Sequence, residues 1–198
     1  MVVSESLFPY ELRERATALL EAYRARSLKV ATAESCTGGL VAALLTEIPG
    51  SSDVVERGFV TYSNDAKQEM ISVPAETLAA YGAVSEPTAR AMALGALKAS
   101  RADVAVSLTG VAGPGGGSAQ KPVGLVHFGC AGPGGRIVTR ERRFGDLGRG
   151  AVRLAALEQA LALLEEASVP VKPDPYMLTH GLDDWGDAAR GTPAFQRV

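Results

Sequence analysis

The apolar run Leu28-Lys29-Val30-Ala31 gives way to Thr32-Ala33-Glu34-Ser35-Cys36-Thr37-Gly38-Gly39, after which Leu40, Val41, Leu44, Leu45 and Ile48 recur at helical spacing. A short buried strand over 28–33 that passes through small residues straight into a helix is half of a βα unit, which commits the chain to an α/β fold. Ser35 falls at the junction. Its hydroxyl can stand above the sheet edge as a nucleophile, with Gly38 and Gly39 allowing close backbone approach and the first helical N–H groups available to an anion. It can equally serve, with Thr37, as a helix cap worth about 1 kcal/mol.

The flanking segments agree with that class. Leu12, Ala16, Leu19, Leu20 and Tyr23 form an apolar stripe over 9–26, with Pro9 suited to the first turn. The breaker cluster Pro49-Gly50-Ser51-Ser52 ends the helix after Ser35, and Phe59 to Tyr62 predict a second strand over 56–63. Asp65 followed by Gln68 resembles a capping box and predicts a helix from Ala66 to Ile71. Lys67 then lies in the first turn of that helix, where the macrodipole disfavours a cation; it reads either as a solvated surface lysine or as a group held there for chemistry. A short helix follows Pro74, and a longer one begins at Glu86-Pro87 with Ala89, Met92, Ala93 and Ala96 on its core face.

Val104 to Thr109 predicts a buried strand that enters Gly110-Val111-Ala112-Gly113-Pro114-Gly115-Gly116-Gly117-Ser118. Such a loop can turn its N–H groups onto an oxyanion or phosphate, or it can simply be flexible. It is not a Walker loop, because Gly116 and Gly117 stand where Lys and Ser or Thr are required. Segments 123–130 and 136–144 predict a hairpin around Ala131-Gly132-Pro133-Gly134-Gly135, and a long closing helix runs from Asp146 or Gly150 to about Ala167 with Ala151, Leu154, Leu157, Leu161 and Leu164 on its apolar face. Strands alternating with helices, then a hairpin and a last helix, predict a three-layer α/β/α sandwich with a mixed sheet. The domain is assigned to residues 1–169. Proline and glycine interrupt any periodicity in 170–198, which reads as an irregular tail.

A formal charge of −2 over 198 residues supplies no basic footprint for nucleic acid. The two cysteines, Cys36 and Cys130, have neither disulfide-scaffold nor metal spacing. No apolar run approaches the length of a membrane span or a leader. The expectation is a cytoplasmic protein with no nucleic-acid or membrane partner.

The loop ends at Ser35 and at Thr109–Ser118, with Tyr62–Lys67 beside them, can meet on one side of such a sheet. Ser35 would then be the nucleophile, Lys67 its base if burial lowers its pKa, and Tyr62 a proton relay or an orienting hydroxyl. His127 in the hairpin and His180 in the tail do not suit a Ser-His-Asp arrangement.

Four ordered motifs carry a resemblance. They are Ala33-Glu34-Ser35-Cys36-Thr37-Gly38-Gly39; Gly58 to Asn64 with Lys67; Gly82-Ala83-Val84-Ser85-Glu86-Pro87; and Gly110-Val111-Ala112-Gly113-Pro114 with Lys121-Pro122-Val123-Gly124. Together they make the chain similar to the CinA C-terminal-domain family, which includes nicotinamide mononucleotide amidohydrolases. The resemblance spans about residues 10–168 and leaves the tail uncovered. It implies hydrolysis of a nucleotide carboxamide to carboxylate and ammonia, without metal or cofactor, in a homo-oligomer. Ser35, Tyr62 and Lys67 take the catalytic roles. Glu34, Thr37, Gly38, Gly39, Thr109, Gly110 and Gly113 are assigned to the substrate, with backbone N–H groups near Thr37–Gly39 for the oxyanion and Arg57, Lys121 or Arg143 for the phosphate. Hydrolysis of another small amide and non-catalytic nucleotide binding are the competing readings.

Overall fold

The computed structural model describes residues 6–169; the predicted tail lies outside them. Five strands form one sheet in the order β2-β1-β3-β4-β5. β1 (Val30–Glu34) pairs in parallel with β2 (Val55–Val60) and with β3 (Val104–Gly110). β4 (Leu125–Ala131) and β5 (Ile137–Arg143) continue the sheet antiparallel. β1 and β4 are buried throughout, as strands covered on both faces must be.

Helices α1 (Tyr10–Ala25), α2 (Leu40–Glu47) and α6 (Arg149–Ser168) share one core with Val30, Val104, Val106, Leu108, Val126 and Phe128. On the opposite face Ile71 of α3 (Asn64–Ile71), Leu78 of α4 (Ala75–Tyr81), and Met92 and Ala96 of α5 (Glu86–Lys98) pack on Ala31, Ala33 and Ala105. The alternation in β3 sorts these sets, since 104, 106 and 108 point one way and 105 the other. This is the three-layer arrangement with a mixed sheet that the pattern predicts. The α1 stripe is buried at every expected position, and the Tyr23 hydroxyl is satisfied by the Leu164 carbonyl at 3.0 Å.

Two local expectations are corrected. β2 ends at Val60, so Thr61 and Tyr62 leave the sheet; Thr61 still reaches back, its N–H donating to the Glu34 carbonyl at 2.8 Å and its hydroxyl to the same oxygen at 3.5 Å. The cap of α3 is Ser63, whose hydroxyl accepts from Ala66 N–H at 3.0 Å, and the helix starts at Asn64. Asp65 therefore sits inside the first turn, where its charge suits the dipole without closing the helix.

Topology gathers the site. After β1 the chain passes to β2 on one side, then crosses to β3 on the other, so the carboxyl ends of all three parallel strands lie on one edge around a switch point. The antiparallel hairpin returns the chain to that edge, because Arg143 at the end of β5 is in register with Leu125 at the start of β4. The N-terminus of α6 follows after five residues. Among the described residues, no helix is long and apolar enough to cross a membrane.

Candidate active site

At that edge lies a cleft of about 300 Å³, lined among others by Ser35, Tyr62, Lys67, Thr109, Gly113 and Arg149. The volume is at the lower end of small-molecule sites. Ser35 is 9% exposed, and its N–H donates to the Leu108 carbonyl of β3 at 3.0 Å. The residue is thus tied to the sheet while its side chain leaves it. Lys67 is only 1% exposed, and its Nζ stands 3.1 Å from Ser35 Oγ and 2.7 Å from the Thr61 carbonyl, to which it donates.

Among the described residues Lys67 has no carboxylate partner, and a buried ammonium of that kind is costly, so the group answers by shifting its proton equilibrium. Burial pushes the Lys67 pKa below the ordinary lysine value, with the neighbouring Cys36 sulfur opposing the shift more weakly. In its neutral form Lys67 can keep one N–H on the Thr61 carbonyl and present a lone pair to the Ser35 hydroxyl. Cys36 itself is buried, and desolvation raises its thiol to about 11, which keeps it neutral and unreactive beside Ser35.

Glu34 is the one binding-set residue whose acidic side chain is wholly enclosed. Its carboxylate accepts from Thr37 Oγ1 (2.7 Å) and from the N–H groups of Gly39 (3.1 Å), Val41 (3.1 Å) and Ala42 (2.9 Å), with nothing of it exposed. It caps α2 from the preceding strand, so neither Ser35 nor Thr37 acts as the N-cap. Gly39 occupies that position with φ 98°, a backbone setting that L side chains rarely take.

These bonds take Gly38 and Gly39 out of the expected oxyanion donors. Gly39 N–H belongs to Glu34, and Gly38 N–H donates to the Ser35 carbonyl at 3.0 Å. The N–H groups of Cys36 and Thr37 make no backbone hydrogen bond among the described residues.

The other wall comes from the loop after β3. Thr109 is buried and its hydroxyl donates to the Ala83 carbonyl at 2.7 Å, which holds the segment before α5 against the cleft. Gly110, Gly113, Gly115 and Gly116 line the opening. Tyr62 is 61% exposed at the rim, and the contact its hydroxyl makes is with Arg149, whose Nη2 donates to it at 3.2 Å. Nη1 of the same guanidinium donates to the Gly113 carbonyl at 3.0 Å. Arg149 thereby bridges the β2–α3 and β3–β4 connections.

Arg149 is the cation that sequence reasoning overlooked. The three proposed instead do not line the cleft: Arg57 pairs with Glu56, Lys121 donates to the Tyr81 carbonyl, and Arg143 pairs with Glu141. The signal was nevertheless present, since Arg149 opens α6 just as Lys67 falls in the first turn of α3, both against the dipole. Arg153, one turn further on, donates from Nη2 to the Thr37 carbonyl at 2.7 Å and so braces the Ser35 turn from the α6 side.

His127 lies in β4, nearly buried, with Nε2 3.8 Å from Glu141 Oε2; burial lowers its pKa, and it does not line the cleft. Among the described residues no group of three or more His, Cys, Asp or Glu side chains is placed to hold a metal ion.

Fold and site define an α/β protein with a buried lysine set against a serine at a strand-to-helix turn. The chain belongs to the CinA C-terminal domain family, which residues 12–168 match. It is 56% identical over 155 residues to the nicotinamide-nucleotide amidohydrolase PncC of Escherichia coli K12, covering 78% of this chain and 93% of that protein. A CinA-like protein of Anaeromyxobacter dehalogenans is 52% identical over 143 residues, 72% of this chain and 35% of that longer protein. Among solved structures, the competence/damage inducible protein CihA of Agrobacterium tumefaciens superposes with a TM-score of 0.81 at 54% identity, covering 83% of this chain and 99% of that one.

Proposed function

We propose that this protein is an amidohydrolase that converts nicotinamide mononucleotide to nicotinate mononucleotide and ammonia through a serine ester. The observation that carries the mechanism is the 3.1 Å contact between Lys67 Nζ and Ser35 Oγ inside the cleft. The substrate is supported by the 56% identity to an enzyme named for nicotinamide-nucleotide hydrolysis.

Neutral Lys67 accepts the Ser35 proton as Oγ attacks the carboxamide carbon. The N–H of Cys36, a residue of the cleft lining, supplies a donor for the tetrahedral oxyanion. Collapse breaks the C–N bond, and the nitrogen leaves as ammonia with the proton returned by Lys67. Water, deprotonated by the same amine, then adds to the ester; the acid is released and Ser35 recovers its hydrogen. The Arg149 guanidinium, at the rim with the 113–116 loop, is the charge partner for the 5′-phosphate. Tyr62 shares that guanidinium, so its role is to orient the phosphate end and not to relay the Ser35 proton.

Incubating the protein with nicotinamide mononucleotide and measuring ammonia tests the activity. Turnover is expected in the wild type, and Ser35→Ala should bind substrate without releasing ammonia. A mass increase on Ser35 after acid quench would establish the ester. Rapid turnover by folded Ser35→Ala would replace it with direct attack by water, and binding without ammonia release by the wild type would leave a nucleotide sensor.

A further inference from the structure

The first turn of a helix beside a nucleophile is a natural anion site, because its N–H groups are unpaired and the dipole is positive there. In α2 that place is already taken. The Glu34 carboxylate collects three backbone N–H groups and the Thr37 hydroxyl at 2.7–3.1 Å, fully enclosed. The N-cap is Gly39, which has no side chain to do this, and Glu34 is the residue directly before Ser35. On the other side of the turn, Arg153 Nη2 holds the Thr37 carbonyl at 2.7 Å.

We propose that Glu34 is a positioning residue: its carboxylate takes the place of a bound anion at the N-terminus of α2, locking the Ser35 turn against Lys67 and excluding the substrate's phosphate from that helix end. The proposal rests on Ser35 being the nucleophile. Charge and shape are both required. A glutamine has one acceptor oxygen where Glu34 has two, and it would turn an NH₂ toward an N–H donor at a side chain wholly shielded from solvent. The Ser35 turn would then shift relative to Lys67, and misplacement of a reacting group by about 1 Å costs on the order of 10²-fold in rate.

The test combines steady-state kinetics with amide hydrogen exchange. Glu34→Gln should lower kcat by about 10²-fold and leave KM for nicotinamide mononucleotide within about threefold, since the interaction lost is not with the substrate. In Glu34→Ala, formate should restore part of kcat by refilling the carboxylate site, and formamide should not. If both variants fail to fold, Thr37→Val, which removes one of the four donors, should still lower kcat with KM unchanged. A wild-type kcat in a folded Glu34→Gln protein, or in Thr37→Val when that is the variant available, overturns the proposal. So does a rise in KM alone, which would put the carboxylate on the substrate. Exchange separates this from the serine reading. The N–H groups of Gly39, Val41 and Ala42 should be protected in the wild type and freed in Glu34→Ala whatever Ser35→Ala does, and fast exchange of all three in the wild type would refute the anchoring.

Discussion

The two glycine-bearing connections that meet at the cleft are built in opposite ways. The turn after β1 is tied down along its length: Ser35 N–H is bound to β3, Gly38 N–H to Ser35, Gly39 N–H to Glu34, and the Thr37 carbonyl to Arg153. The loop after β3 is held near its ends, by Arg149 at the Gly113 carbonyl and by the mutual bonds of Ser118 and Lys121, while Pro114 to Gly117 are exposed. Bond-making steps demand fixed geometry, whereas admitting and releasing a nucleotide demands a wall that yields. On the proposed mechanism, rigidity sits where the nucleophile is and freedom where the phosphate enters.

The largest effect expected from breaking this contrast is on the rigid side. Lys67→Met keeps most of the stem and removes the amine, and kcat should fall by about 10²–10⁴-fold, read by ammonia release under saturating substrate. On the open side, Arg149→Met should act mainly through KM, raising it about 10- to 10²-fold for the loss of a charge-assisted contact worth about 1.5–3 kcal/mol. A kcat loss in Arg149→Met as large as in Lys67→Met would erase the division between the two regions.

Lys67 also carries a pH signature. Its folded pKa lies below the unfolded value, so the unfolded chain binds more protons, and stability rises with pH between the two values. Below the folded value the buried ammonium is a standing cost. Lys67→Met should accordingly melt higher than the wild type at low pH, and the gap should narrow as pH climbs toward the ordinary lysine value. Activity should rise with pH through the depressed pKa, because the base must be neutral. A melting difference that does not change with pH would show that Lys67 keeps its ordinary pKa.

The smallest effects come from single methyl groups. Gly39→Ala, at φ 98° and with Val60 Cγ2 3.4 Å from the new carbon, should cost about 1–2 kcal/mol in a denaturant melt. Gly115→Ala meets nothing within 4 Å and should stay within about 0.5 kcal/mol. Equal costs at the two positions would mean that the 113–117 loop is as constrained as the Ser35 turn.

Much of this was legible in the chain itself. Apolar spacing determined the class, the order of strands and helices, and the core face of α1 and α5, because burial acts through local periods of 2 and 3.6 that no distant contact has to supply. The strand ends at Ser35 and Gly110 marked the cleft for the same reason. Even the two cations set against helix dipoles, Lys67 and Arg149, were written locally, although only the first was read. What remained for the tertiary structure were the partners. Nothing near Glu34 in sequence says that its carboxylate, and not a hydroxyl of Ser35 or Thr37, would close α2, since that depends on how strand and helix approach each other. The helix-start position marked Arg149 as unusual, but only the hairpin's return to the carboxyl edge puts it, and not Arg57, Lys121 or Arg143, in the cleft. The 3.1 Å meeting of Ser35 with Lys67, across 32 residues, exists because parallel pairing of β1 with β2 brings their ends together and because packing of α3 strips water from the amine. Local sequence determines what each segment prefers to be; proximity and desolvation, which turn ordinary side chains into reagents, are properties of the packed whole.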